Sequence, residues 1–204
     1  MDKSKLVYII AIGGSAGSLS PLLTFFDNTL IDKVSYVILR HIPADARSLL
    51  REILQKHSKL EVIEAANNMP VESNKVYLLP PGHYMTIERG ILYLEARIGK
   101  RNCAIDIFME SLAADFKERS IVIILSGGGS NGVKGAMSVK KAGGAVLVQE
   151  PSSSEAHTMP LNVINSGTAD HILLPGQMPE VIMQYVASHL SKLVKQPSLK
   201  RKSA

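Results

Sequence analysis

Ser15 lies in Gly13-Gly14-Ser15-Ala16-Gly17, directly after the apolar run Leu6–Ile12 and before Leu19–Phe26, which can start a helix. A Gly-x-Ser-x-Gly turn between a strand and a helix pushes the serine out of the sheet with its hydroxyl exposed. Its small neighbours let a substrate carbonyl approach backbone N–H groups. That suits a nucleophile attacking an acyl carbon. A turn cradling a phosphate is the rival use of the same glycines. The chain has no Gly-Lys-Ser/Thr and no Gly-x-Gly-x-x-Gly, which weakens the P-loop and dinucleotide readings.

A serine is a weak nucleophile until a base stands within hydrogen-bond reach, and the base needs an orienting group of its own. Two other segments offer these groups. Arg40-His41 follows the apolar run Val34–Leu39, and Ser126–Gly132 (Ser-Gly-Gly-Gly-Ser-Asn-Gly) follows Ile121–Leu125. His41 can serve as general base and Asn131 can accept the other ring N–H, although a carboxamide carries no charge. Gly127-Gly128-Gly129 at a helix start is either a tight turn or a set of exposed N–H groups able to hold an oxyanion. His57, His83, His157, His171 and His189 read as structural or surface residues. Asp106 and Asp45 are spare carboxylates near these segments, with helix-start capping as their expected work.

These residues meet only if their strands are parallel and adjacent. Apolar β-branched runs alternate with helix-period segments along the chain. The pattern predicts strands at Leu6–Ile12, Val34–Leu39, Leu60–Ala65, Lys75–Leu79, Ile121–Leu125, Ala145–Gln149 and His171–Leu174. It predicts helices at Leu19–Asn28, Asp45–Lys56, Asp106–Phe116, Ser130–Ala142, from Pro160 to near Gly167, and Met178–Leu193. Met85–Glu88 and Ile91–Glu95 flank Arg89-Gly90, a two-residue hairpin signal. The expected fold is α/β: a doubly wound, mainly parallel sheet with helices on both faces and a small antiparallel hairpin. Active sites of such sheets lie at the carboxyl ends of the strands, where all three candidate segments fall. The long loops near 99–105 and 150–158 are further candidates for function.

Composition narrows the classes. The 204 residues are 46% hydrophobic and 20% charged, as in ordinary soluble domains. Six Tyr, four Phe and no Trp argue against a stacking surface for single-stranded nucleic acid. The net charge of +5 is concentrated in Lys192, Lys195, Lys200, Arg201 and Lys202. We therefore expect one domain over residues 1–192 and a basic, flexible tail over 193–204. That tail is either simply solvated or a patch for nucleic acid or anionic lipid. Cys103 is the only cysteine, which excludes a disulfide framework and a cysteine metal site. No metal or other cofactor is expected. Leu6–Ile12 is too short for a signal peptide core or a membrane span, so a cytoplasmic location without membrane insertion is expected.

The chain resembles the catalytic domain of the CheB-type protein-glutamate methylesterases, which act on chemotaxis receptors. The likeness rests on Ile-Gly-Gly-Ser-Ala-Gly around Ser15, Arg-His-Ile at 40–42, Val-Tyr-Leu-Leu-Pro-Pro-Gly at 76–82, and Ile-Asp-Ile-Phe-Met-Glu-Ser-Leu-Ala at 105–113. It continues in Leu-Ser-Gly-Gly-Gly-Ser-Asn-Gly at 125–132, Gln-Glu-Pro at 149–151 and Met159-Pro160. The resemblance implies hydrolysis of glutamyl methyl esters with release of methanol, and deamidation of certain glutamines. It implies Ser15 as nucleophile, His41 as base, and Ala16 and Gly128 N–H as the oxyanion hole. Gly14, Arg40 and Met159 complete the oxyanion and substrate-binding set. Asn131 stands where the family has aspartate, Gly128 where many members have methionine or threonine, and Arg40 where glutamine is usual. The expected partners are a methyl-accepting receptor and a receptor methyltransferase, with no nucleic acid. No receiver domain precedes the motifs, so regulation by aspartyl phosphorylation in cis is not expected. A binding or regulatory module with little turnover is the second reading.

Overall fold

The central strands form where the sequence is apolar along nearly its whole run, because both faces of the sheet are covered there. The computed structural model describes residues 8–29, 34–40, 49–98 and 103–195. Seven parallel strands make the main sheet: β1 (Ile9–Gly14), β2 (Ser35–Arg40), β3 (Glu61–Glu64), β5 (Lys75–Leu78), β8 (Ser120–Ile124), β9 (Ala145–Gln149) and β10 (His171–Leu173), in the order β10-β9-β8-β1-β2-β5-β3. Along β1 the burial alternates between two cores despite the unbroken apolar run. Ile9 and Ala11 face α3 (Ala104–Phe116) and α4 (Val133–Lys141). Ile10 and Ile12 face α1 (Leu19–Asp27), α2 (Leu50–His57) and α6 (Met178–Lys195). The period of two places each side chain, and the twin cores make both faces apolar.

The strand order has one consequence for function. The chain leaves β1 toward β2 on one side and leaves β8 toward β9 on the other. β1 and β8 are neighbours, with Gly13 paired to Ile124. The loops after them run in opposite directions and open a crevice at the carboxyl edge, the usual binding place in doubly wound sheets.

The small antiparallel sheet has three strands, β4 (Met69–Pro70), β7 (Ile91–Ala96) and β6 (His83–Glu88). Arg89 (φ 52°) and Gly90 (φ 73°) form the expected two-residue turn, both in the left-handed region that such hairpins require. β4 is not legible in the sequence, because two residues, one of them proline, carry no alternation.

Three helix starts differ from expectation. α4 begins at Val133 instead of Ser130. Gly132 (φ 106°) is left-handed and cannot continue a helix backward. α5 (Thr158–Asn165) starts two residues before Pro160. A proline fits anywhere in a first turn, whose N–H groups lack helical acceptors. α3 starts at Ala104, two residues before the expected Asp106, and residues 99–102 of the expected loop at 99–105 lie outside the described residues. The start of the helix expected at Asp45 lies outside the described residues, and α2 is described from Leu50. α6 runs to Lys195, past the expected boundary at 192.

Candidate active site

Ser15 is partly exposed at the end of β1, and its backbone N–H donates to Ser126 O at 2.9 Å. Its own carbonyl accepts the Ser18 hydroxyl at 2.7 Å. Ser18 opens α1 but does not cap it; its hydroxyl works backward on the serine turn. Arg40, paired with Gly14 across β1 and β2, donates from Nε to Ser18 Oγ at 3.0 Å. Burial lowers the Arg40 guanidinium pKa from its ordinary value. The left-handed residue of the turn is Gly17 (φ 69°), not Ser15, so backbone strain is taken by the glycine.

Ser126 fastens the two loops together. Its N–H donates to Oε1 of the buried Gln149 at 2.8 Å. Its hydroxyl donates to Ala16 O at 2.8 Å and accepts the Ala156 N–H at 3.0 Å. Gln149 in turn donates from Nε2 to Ser153 O at 3.0 Å. The segment 150–158 therefore lies against the serine turn and the glycine loop. Gly127 N–H donates to Ala156 O (2.8 Å), and Met159 N–H donates to Gly127 O (2.9 Å). A Cβ on Gly127 would stand 2.8 Å from Met159 Cε and 3.1 Å from Ser15 Cβ, so only glycine fits there without a shift. Met159, expected among the substrate-binding residues, is fully buried and supports Gly127 from below.

The backbone N–H groups of Ala16 and Gly128 sit on exposed residues flanking this contact. Among the described residues neither donates to a protein acceptor. Free N–H donors beside a serine can receive the oxygen of a tetrahedral intermediate.

Asn131 follows on the same loop. Its Oδ1 accepts the Asp106 N–H at 3.1 Å, while Asp106 Oδ1 accepts the N–H groups of Gly132 (2.8 Å) and Gly135 (2.9 Å). Asp106 thus caps α4 instead of its own helix, and Asn131 returns a bond to the first turn of α3. Two helix starts secure each other, and the oxygen of the carboxamide is fixed by an unambiguous donor. Asn131 and Gly128 also line a cavity of about 610 Å³ with Cys103, Asp106, Glu110 and Lys134; Ser15 is not among its described lining residues.

The structure therefore brings together Ser15, Ala16, Gly14, Arg40 and Gly128 at one edge of the sheet, with Asn131 on the loop beside them. His41 and Asp45 lie outside the described residues. Of the remaining histidines, His57 Nδ1 contacts Asp27 Oδ1 at 2.8 Å, His83 Nδ1 contacts Pro81 O at 2.9 Å, and His157 and His171 are exposed. Ser18, Ser126 and Gln149 were missed as site residues by the sequence reading. Ser126 and Gln149 carried a signal, since each immediately follows or ends an apolar run. Ser18 carried none beyond an ordinary helix start.

A family model described as CheB methylesterase matches residues 10–182. A putative protein-glutamate methylesterase/protein-glutamine glutaminase of Leptospira interrogans is 27% identical over 188 residues, covering 90% of this chain and 97% of the relative. A protein-glutamate methylesterase/protein-glutamine glutaminase of Geobacter sulfurreducens is 30% identical over 185 residues, covering 86% of this chain. This chain spans about half of that relative, 49%. The crystal structure of the Thermotoga maritima CheB methylesterase catalytic domain superposes with a TM-score of 0.79 at 27% identity, over 87% of this chain and 97% of that one. The serine turn and the glycine loop meeting at the switch of strand order, with matches of this length, make the chain a member of the CheB methylesterase family.

Proposed function

We propose that the chain is a serine hydrolase that removes methyl esters from glutamyl side chains of a chemoreceptor, with glutamine deamidation as a second activity of the same site. Ser15 attacks the ester carbonyl and His41 takes its proton. The tetrahedral oxygen rests on the Ala16 and Gly128 N–H groups. Methanol leaves with the proton held by His41, and water repeats the cycle on the acyl-serine. Asn131 orients the base. The observation that carries this reading is the 2.9 Å bond from Ser15 N–H to Ser126 O, which holds the candidate nucleophile against the glycine loop. The relatives' names supply the ester and the amide as substrates. The receptor's cytoplasmic part is the expected place of this work, beside its methyltransferase. No helix among the described residues is long and apolar enough to cross a membrane.

A specific observation favours a second reading. Asn131 is neutral, and its oxygen already accepts the Asp106 N–H. A base oriented by a carboxamide loses much of its driving force, about 10⁴-fold in a serine protease triad. In that reading the chain binds the receptor and turns over slowly. Methanol release from methylated receptor, with fluorophosphonate labelling of Ser15, tests both. We expect labelling and release from the unaltered protein, and a loss of release on the order of 10³-fold or more in Ser15→Ala. Equal release from the two proteins rejects the esterase reading; labelling with barely measurable release supports the slow one.

A further inference from the structure

We infer that Arg40 forms a carboxylate-binding subsite beside Ser15, so that the site favours substrates or products carrying an anion next to the reacting group. This rests on the reading of Ser15 as nucleophile. Arg40 ends β2 opposite Gly14, one residue before the serine. Its Nε donates to Ser18 Oγ, which donates to the Ser15 carbonyl. The guanidinium is thereby anchored through one nitrogen, two hydrogen bonds from the candidate nucleophile's backbone. Among the described residues no carboxylate pairs with it. The acid that borders the turn, Glu155, packs against Gly17 and is not an ion-pair partner of Arg40.

A half-buried cation that meets no counter-charge among the described residues costs folding free energy there, and burial already disfavours its charged form. The Ser18 bond needs one N–H and explains neither the charge nor the other donors. Arginine's planar fork matches a carboxylate held by two parallel bonds. Two carboxylates satisfy that chemistry: an acidic residue flanking the methyl ester in the substrate, and the γ-carboxylate that hydrolysis itself creates. The first makes Arg40 a specificity residue; the second makes it a product-holding one.

Binding in a Ser15→Ala background separates this inference from turnover. The probes are four synthetic receptor-type peptides. One pair carries a glutamyl methyl ester flanked by Glu or by Gln. The other carries a free Glu or a Gln at the reacting position. Dissociation constants are measured by titration calorimetry. We expect about tenfold tighter binding of the Glu member in at least one pair, the scale of one charge-assisted contact. A preference in the first pair identifies a flanking acid, and one in the second identifies the product carboxylate. R40Q reduces the preference to near unity, and R40K, which keeps the charge without the fork, retains part of it. Raising the salt erodes it in the unaltered Arg40 protein, a readout that holds even if R40Q fails to fold. Equal binding within both pairs, or a preference indifferent to R40Q and to salt, overturns the inference. Methanol release from the protein with Ser15 intact is scored separately, so failure of the esterase reading leaves the binding result interpretable.

Discussion

At the carboxyl edge of the sheet, Ser15, Ala16 and Gly128 are at least partly exposed, and two loops are fastened by hydrogen bonds from Ser126. At the amino edge, Tyr8, Tyr185 and His189 cluster, with ring centroids 4.7–6.5 Å apart. There the Tyr8 hydroxyl and His189 Nδ1 are buried with no hydrogen-bond partner among the described residues. At both edges some polar groups find no protein partner among the described residues. At one edge they open to solvent, where leaving N–H donors unmatched costs little and keeps them ready for an incoming oxygen. At the other they are enclosed, where each unmet group weakens the fold and offers nothing to a ligand. Unmatched polar atoms point to function only when something can reach them.

Substitutions at the two edges are expected to differ in effect. Asn131→Asp has the largest. The new carboxylate keeps an oxygen for the Asp106 N–H and gains a charged acceptor for the base. Methanol release rises by about 10²–10⁴-fold if the neutral carboxamide limits turnover. An unchanged rate shows that the base is oriented by another group. Gly127→Ala comes next. Its Cβ meets Met159 Cε at 2.8 Å, where the flexible methionine end can yield, and Ser15 Cβ at 3.1 Å, where the serine must give by a small shift. We expect a fall in kcat of about tenfold with the fold retained, checked by steady-state kinetics and circular dichroism.

Ser126→Ala separates the fastening from the chemistry. It removes the donor to Ala16 O and the acceptor of the Ala156 N–H, both part-buried. Urea unfolding is expected to show a loss of roughly 1–3 kcal/mol, with activity reduced as the loops part. Tyr8→Phe is the smallest change and lies at the far edge. It deletes a buried hydroxyl that has no partner among the described residues, so stability is neutral or improves by up to about 1 kcal/mol and activity is unchanged. Burial pushes the Tyr8 pKa from 10.0 up to about 12. The folded state keeps a proton that the unfolded state loses, so stability falls as pH rises between these values. Tyr8→Phe flattens that decline in thermal melts. Tyr185, also raised by burial, keeps part of it. A loss of activity in Tyr8→Phe breaks the division between the edges.

Much of the architecture was legible because burial on both faces leaves unbroken apolar runs. β1, β2, β8 and β9 are each readable from such a run, and so is their parallel sense from the helices between them. The serine turn and the glycine loop were readable because glycine is needed where chains approach closely or φ is positive. Gly17 and Gly127 are such positions. β4 was hidden because two residues have no period. The start of α4 was displaced because Gly132, not the helix propensity of Ser130 and Asn131, sets it.

The sequence alone determined the family, the doubly wound class and the residue types available for acyl chemistry, since these follow from local pattern and motif order. Which residue holds which followed from packing in three dimensions. Asp106 caps the helix across from its own, Ser18 serves the serine turn instead of α1, Gln149 ties two loops through Ser126, and Met159 sits beneath Gly127. Those bonds join residues far apart in the chain, and their partners are chosen by strand order and helix packing, which no local window of sequence contains.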